Sequence, residues 1–502
     1  MIESSKSFIS GLKYTAIVAK TATIAVFNKE ASKKYLLDTL GSIPGLSAKA
    51  AQILSMKLKP DTSQAIEPMP LELVKSIIDQ ECPKLANDLA IIEDNPKVAS
   101  LGQVHQAQLK DGTVVAIKVQ YPGVKEQLKQ QFALIKSSAS FGPPKKFKLA
   151  IDELSTYFQN SLLEEVNYLG EAKRQEEFRL AKIEGLPVVV PQVYFQYCTE
   201  KVLVQAFENS MPLETIRKFW PKEAQWDCAK LFIDYFLKSA FENKHMHSDP
   251  HPLNYGFRTA QESGQYFHEL VLYDFGSTLR IQPEQAQTLY QLINKRIAGE
   301  DIIPIDYLVH LGFDEEKLGY IANKLPAMLD KILLPFCSPG AFKVSDWHLQ
   351  ESFDAILGED KWWFRTAGPA WFLMFMRAMQ GVLYFLDSLD QAVAFQPLFK
   401  SLEPQHAINV PHVKTKQVST ASLSKNLNVL VREGNLDIVK LKMPARSVDD
   451  LENLVPEETR QRIEEQEVNI LELKAEVQRS GYLPQTIFET QVGSRNYRVW
   501  LS

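Results

Sequence analysis

Val114-Val115-Ala116-Ile117-Lys118 decides the fold when it is read with two later stretches. The first of these is His247-Ser248-Asp249-Pro250-His251-Pro252-Leu253-Asn254, and the second is Asp274-Phe275-Gly276. Together they supply a lysine on an apolar strand, an Asp-x-x-x-x-Asn loop, and a second aspartate closing another strand. No one piece is specific. In this order they form the parts list of a kinase-type phosphoryl-transfer site.

Each residue has a chemical role in that reading and a bland alternative. Lys118 follows four apolar β-formers, so its ammonium must find a polar target. In such sites the target is the α/β phosphates and a helix glutamate. Glu171, in Tyr168-Leu169-Gly170-Glu171-Ala172, is the natural partner and would keep the lysine protonated. Taken singly, Lys118 could be an edge-strand lysine and Glu171 a solvated helix charge. Asp249 is placed to position or deprotonate the nucleophile, while Asn254 and Asp274 offer oxygens to magnesium. A rival reading takes the alternating His245, His247, Asp249 and His251 as a metal-hydrolase site. It leaves Lys118 unexplained, and the later His268, His310 and His348 sit in no ligand pattern.

Outward from this set, Leu101 to Leu109 and Thr113 to Val119 read as strands joined at Asp111-Gly112, a hairpin signal. Helical patterns are expected at 124–138 and 149–183. Val188–Val190, Val193–Tyr197 and Lys201–Phe207 read as short strands completing one small sheet. From about Leu213 to Leu402 the pattern is helical, apart from a hairpin of Asn254–Arg258 and Tyr266–Tyr273. Residues 413–425 read as a linker. The remainder has strand signals at Leu427–Val431, Asp437–Leu441 and Tyr497–Leu501, with acidic helical stretches between. Ile463, Ile470 and Val477 lie at heptad spacing there, too few for a coiled coil, and suggest a face docked on its own domain.

Composition bounds the rest. The chain has 502 residues, 45% hydrophobic and 23% charged, with a net charge of −5. That allows two or three ordinary globular domains and gives no sign of a nucleic-acid partner. Cys82, Cys198, Cys228 and Cys337 form no C-x-x-C pair, which argues against a disulfide framework or zinc site and for a reducing, cytoplasmic setting. Residues 8–27 are apolar but carry Lys13 and Lys20. Each central lysine costs about 2.5–3.5 kcal/mol in a spanning helix, so an interfacial helix or one packed on the protein fits better. The apolar run Pro369 to Leu386 contains Arg377 and Gln380 and reads as a buried helix, not a span.

Upstream of Lys118, Val98-Ala99-Ser100-Leu101-Gly102-Gln103-Val104-His105 has one glycine where a protein kinase has three, so fewer free backbone N–H groups can approach phosphate. After Asp274 the chain enters a helix with no long activation segment. A peptide platform is therefore not evident, which favours a small or lipid-like acceptor, or ATP hydrolysis.

The chain resembles the UbiB (AarF-like) family of atypical kinases. The resemblance is carried by Ser100-Leu101-Gly102-Gln103-Val104-His105, Lys118-Val119-Gln120-Tyr121-Pro122-Gly123-Val124, Glu165-x-Asn167-Tyr168-x-x-Glu171-Ala172, Asp249-Pro250-His251-Pro252-x-Asn254 and Asp274-Phe275-Gly276. It implies an α+β, protein-kinase-like two-lobed fold. An N-terminal helical extension would span 1–85, the N-lobe 86–208, and the helical C-lobe with the catalytic loop and Asp-Phe-Gly 209–405, ahead of a small α/β module at 426–502. It implies ATP and Mg2+ as cofactors, with Ala99, Ser100, Lys118, Asn254 and Asp274 around them. It further implies a link to quinone or lipid metabolism, a lipid or quinone-like ligand and peripheral membrane contact. The family's Lys-x-Gly-Gln motif matches Lys49-Ala50-Ala51-Gln52, with alanine for glycine, and its Glu-x-Asp motif matches Glu165-Val166-Asn167, with one carboxylate lost. Lys49, Gln52 and Glu165 would thus cap the pocket, through a weaker contact. The expected function is an atypical kinase or ATPase. The alternative is a nucleotide-gated binding or chaperone-like protein that transfers no phosphoryl group. The two differ in whether Asp249→Asn abolishes the effect on the partner.

Overall fold

A computed structural model of the chain describes residues 68–99, 101–126, 164, 166–249, 251–360, 363–364, 367–413, 424, 426–434, 436–451, 469–480, 482 and 484–502. They fall into two compact units. The first draws on Met1–Ile303, Ala327–Phe353 and Gly368–Val410, the second on Pro304–Pro326, Asp354–Ala367 and Pro411–Ser502. The expected helices before residue 68, nearly all of 124–138, and 149–163 lie outside the described residues.

The first unit opens with helices α1 (Leu71–Glu81) and α2 (Pro83–Asp88) and strands β1 (Leu89–Ile92) and β2 (Lys97–Val98). Strands β3 (Gly102–Leu109) and β4 (Val114–Gln120) form the expected hairpin. Asp111 accepts from the Thr113 N–H at 2.9 Å and Gly112 takes φ +88°, a conformation glycine tolerates without a Cβ clash. Side chains alternate along β4. Val115, Ile117 and Val119 are fully buried in a cluster with Val74, Ile78 and Leu85, so the helix pair covers one face of the sheet. The period of two then sends Lys118 to the other face.

Helix α3 (Tyr168–Leu180) starts at Asn167, whose side chain accepts from the Gly170 N–H at 3.0 Å. Strand β5 (Val188–Val189) and strand β6 (Val202–Ala206) follow. Only β6 joins the N-lobe sheet, beside β4. The expected single sheet is corrected here in two places. Strand β5 pairs in parallel with a later strand, at Val188 opposite Leu270. The expected strand at 193–197 is mostly a 3-10 turn over Phe195–Tyr197, with one bridge from Val193 to Gln205. The turn forms because the buried Tyr197 reaches back to donate to the Asp88 carboxylate at 2.7 Å.

The helical half contains α4 (Leu213–Phe219), α5 (Lys222–Phe241), the ribbon strand β7 (His245–His247), the hairpin β8 (Tyr255–Glu262) and β9 (Gln265–Leu272), strand β10 (Thr278–Arg280), α6 (Pro283–Ile297), α7 (Ala370–Leu389) and α8 (Phe395–Lys400). The β8–β9 turn has positive φ at both Ser263 and Gly264, which suits the right-handed strand twist. Helix α7 is the buried helix expected near Pro369–Leu386. It packs on α5 through Phe232–Phe385 and Phe236–Phe375, with ring centroids 5.0 and 5.6 Å apart. Among the described residues no helix is long and apolar enough to cross a membrane. The 8–27 segment lies outside them.

In the second unit, β11 (Asn426–Glu433), β12 (Leu436–Pro444), β13 (Gln485–Val492) and β14 (Arg495–Leu501) form an antiparallel sheet in the order β12-β11-β14-β13. Helix α9 (Ile470–Ser480) belongs to the same core, burying Ile470 and Val477 beside Leu427, Val499 and Leu501. Those two positions therefore dock on their own sheet. Strand β13 is absent from the sequence reading because a bulge between Thr486 and Phe488 turns both Ile487 and Phe488 inward, which breaks the period of two.

Candidate active site

Strand β4 presents Lys118, and helix α3 meets it with Glu171. The ammonium donates to both carboxylate oxygens of Glu171, at 2.8 and 2.9 Å. It also lies 3.2 Å from Asp274 Oδ2 and 4.9 Å from the centre of the Tyr168 ring. Burial works against the lysine's charge, but Asp274 and Glu171 outweigh it and hold its pKa well above the usual range. Burial pushes Glu171 the other way for an acid, up to about 7, against the pull of Lys118 and with help from Asp274. One ammonium thus faces two carboxylates, Glu171 buried and Asp274 partly exposed.

Asp274 sits at φ +56°, a left-handed position unusual for a non-glycine residue. Three contacts hold the segment there. The Gly276 N–H donates to Asp274 Oδ1 at 3.1 Å. His247 Nε2–H donates to the carbonyls of Tyr273 and Asp274 at 2.9 and 2.8 Å. Arg174, one turn beyond Glu171 on α3, donates to the carbonyls of Phe275 and Gly276 at 2.9 and 3.2 Å. Phe275 is fully buried and packs on Phe178 and His247, with centroids 5.1 and 5.4 Å apart.

The loop carrying Asp249 is zipped to the segment after Asp274. Strand β7 pairs with β10, Thr278 opposite His247, and Ser248 and Ser277 meet at 3.0 Å. Asn254 Nδ2 donates to Asp249 Oδ2 at 3.0 Å, and Arg377 Nη2 donates to Asp249 Oδ1, also at 3.0 Å. The Tyr255 hydroxyl donates to the Asp249 carbonyl at 2.9 Å. Asp249 and Asn254 are both buried.

Two groupings therefore stand in the structure: Lys118 with Glu171 and Asp274, and Asp249 with Asn254. Ala99 donates its N–H to the Gly102 carbonyl at 2.9 Å, which folds the loop between β2 and β3. Ser100, Lys49, Gln52 and Glu165 lie outside the described residues. Asn167 is engaged as the α3 cap. Gly102, the single glycine of the loop, is needed for packing: a Cβ there would meet the Val119 carbonyl at 2.4 Å and the Tyr168 hydroxyl at 2.5 Å.

The rival histidine site does not assemble. No group of three or more His, Cys, Asp or Glu able to hold a metal occurs among the described residues. His247 is engaged with backbone, His251 accepts from the Leu253 N–H at 3.3 Å, and His245 stacks on Phe178 at 4.2 Å. Burial, with Arg280 and Arg174 nearby, pushes the His245 imidazole down to about 4.

Arg377 and Arg174 are site residues that the sequence reading missed. Arg377 did carry a signal, a cation inside an apolar helix, but it was read only as an argument against a membrane span. Arg174 lies among the charges of α3 and carries none.

A strand lysine paired to a helix glutamate, an Asp–Asn loop and a following Asp-Phe-Gly define a protein-kinase-like catalytic domain. The chain covers 100% of the structure described as the complex of Rv3197-erythromycin from Mycobacterium tuberculosis, using 78% of its own length at 21% identity and a TM-score of 0.54, a likeness of fold. Residues 61–302 match the ABC1 atypical kinase-like domain, the domain of the UbiB/AarF atypical kinases. It is 28% identical over 291 residues to the mitochondrial atypical kinase COQ8B of Rattus norvegicus, covering 55% of this chain and 53% of that one. It is 31% identical over 306 residues to the uncharacterized protein sll1770 of Synechocystis, covering 58% and 48%. The chain spans about half the length of the curated relatives it matches.

Proposed function

We propose that the protein is an ATP- and magnesium-dependent atypical kinase or ATPase of the UbiB type, acting in quinone or lipid metabolism. The observation that carries this is the bidentate Lys118–Glu171 pair with Asp274 at 3.2 Å from the same ammonium. A lysine so fixed stays charged and can orient the phosphates of a nucleotide. The donor set suits Mg2+, because the Asp274 carboxylate and the Asn254 side-chain carbonyl are hard oxygens and, among the described residues, no cluster of Cys or His joins them. With the Asn254 amide nitrogen turned to Asp249, its oxygen remains for the ion. When bound, Mg2+ would neutralise charge on the phosphates. The chain's own residues do the rest: Lys118 orients, Glu171 fixes Lys118, and Asp249 holds the attacking oxygen in line.

Ala99 and Ser100 lie beside the nucleotide in this reading, and Lys49, Gln52 and Glu165 cap the pocket. A lipid or quinone-like ligand and peripheral membrane contact belong to this reading as what the resemblance to the UbiB family implies. The test is Mg2+-dependent ATP binding and turnover by the wild type and by Asp274→Asn, with and without anionic liposomes. Binding is expected in the wild type and lost in the variant, with turnover raised by liposomes. A wild type that binds no nucleotide under any condition overturns the reading.

A further inference from the structure

The Asp249 carboxylate is held from two directions. Asn254, five residues on, takes Oδ2, and Arg377, 128 residues on, takes Oδ1, both at 3.0 Å. Two bonds to two oxygens fix the carboxylate plane, where one bond would leave it free to rotate. The Arg377 anchor is rigid. It lies mid-way along α7, whose Phe375 and Phe385 pack on the α5 core. Its side chain and that of Asp249 are only 18% and 11% exposed, so little water competes for the pair. Lys118 bonds Glu171 and lies beside Asp274, in the other grouping of the site.

We propose that Arg377 is a positioning residue for phosphoryl transfer, acting through Asp249. It sets the angle at which the Asp249 carboxylate meets the attacking oxygen, and does not hold the nucleotide. This rests on the function proposed above. In a loose phosphoryl-transfer transition state the main demand on the aspartate is orientation, and a misplacement of about 1 Å can cost 100-fold. A helix remote in sequence thereby sets the geometry of the acceptor side.

The test compares Arg377→Gln, Arg377→Lys, Asp249→Asn and the Arg377→Gln/Asp249→Asn double variant. Saturating turnover should fall by about 10- to 100-fold in Arg377→Gln, with KM for Mg-ATP within about twofold of the wild type. Lysine should recover most of the loss. The double variant should be no slower than Asp249→Asn, because residues acting as one unit are not additive. Losses that multiply, a loss residing in KM, or no rescue by lysine would each overturn the proposal.

A wild type without turnover would refute the enzyme reading and leave a second measurement standing. Hydrogen exchange of residues 247–256, without nucleotide, should quicken about tenfold in Arg377→Gln and no further in the double variant. An unchanged loop would overturn the positioning role whatever the chemistry.

Discussion

Replacing Lys118 with methionine removes the cation shared by Glu171 and Asp274. Two carboxylates are then left together, one of them buried, at a place where the ammonium had bonded Glu171 at 2.8 and 2.9 Å and Asp274 at 3.2 Å. Breaking a buried pair from one side costs about 3–5 kcal/mol, and the methionine's burial returns part of that, so about 3 kcal/mol is expected. Every 1.4 kcal/mol is a factor of ten, so local opening of β4 and α3 should become roughly 100-fold more frequent. The assay is hydrogen exchange of residues 114–120 and 168–180. The loss should grow with pH. Glu171 already has a raised pKa, and without Lys118 it must hold a proton in the fold that it releases when unfolded. The variant is therefore nearer to wild type at pH 5 than at pH 8. Adding Glu171→Gln should return much of the protection, since an amide needs no counter-ion. Unchanged protection in Lys118→Met at pH 8, or a double variant worse than both singles, would refute the electrostatic account.

Other predictions follow from single contacts. Gly102→Ala must push a Cβ into the Val119 carbonyl at 2.4 Å, backbone that cannot give way cheaply. We expect a loss of about 2–3 kcal/mol, read as a lower melting temperature. Asn167→Ala removes the α3 cap and should cost about 1 kcal/mol, visible as faster exchange at the helix start, while Asn167→Asp should keep the cap. His245 has a lowered pKa, so below about pH 6.5 the unfolded chain takes up a proton that the folded one refuses until about pH 4. Stability should therefore fall across that window by at most about 3 kcal/mol, and His245→Gln should flatten the slope in acid unfolding curves.

What the sequence made legible was local. The alternation along Val114–Gln120, the turn at Asp111-Gly112 and the loop from His247 to Asn254 carry their geometry in neighbouring residues, so strand, hairpin and loop could be read directly. Lys118 was legible because an apolar strand gives a charged side chain few places to go. Features resting on distant partners were hidden. Tyr197 leaves the strand register because of Asp88, more than a hundred residues earlier. Strand β13 hides behind its bulge. Arg174 reaches main-chain carbonyls, which have no residue-type signature. Gly102 was legible as a glycine, but the close approach of the Val119 carbonyl across the sheet was not.

The packing of α7 on α5 also has a consequence for synthesis. A nascent chain that has emerged through Arg280 already carries Lys118, Glu171, Asp249, Asn254 and Asp274. Phe232 and Phe236 on α5 still lack the Phe385 and Phe375 rings that cover them. Those arrive roughly a hundred residues later, about 5–20 s at ordinary translation speeds. Throughout that interval the half-made C-lobe exposes an aromatic face on the ribosome, and a protein stopped short of Phe375 would keep that face for good.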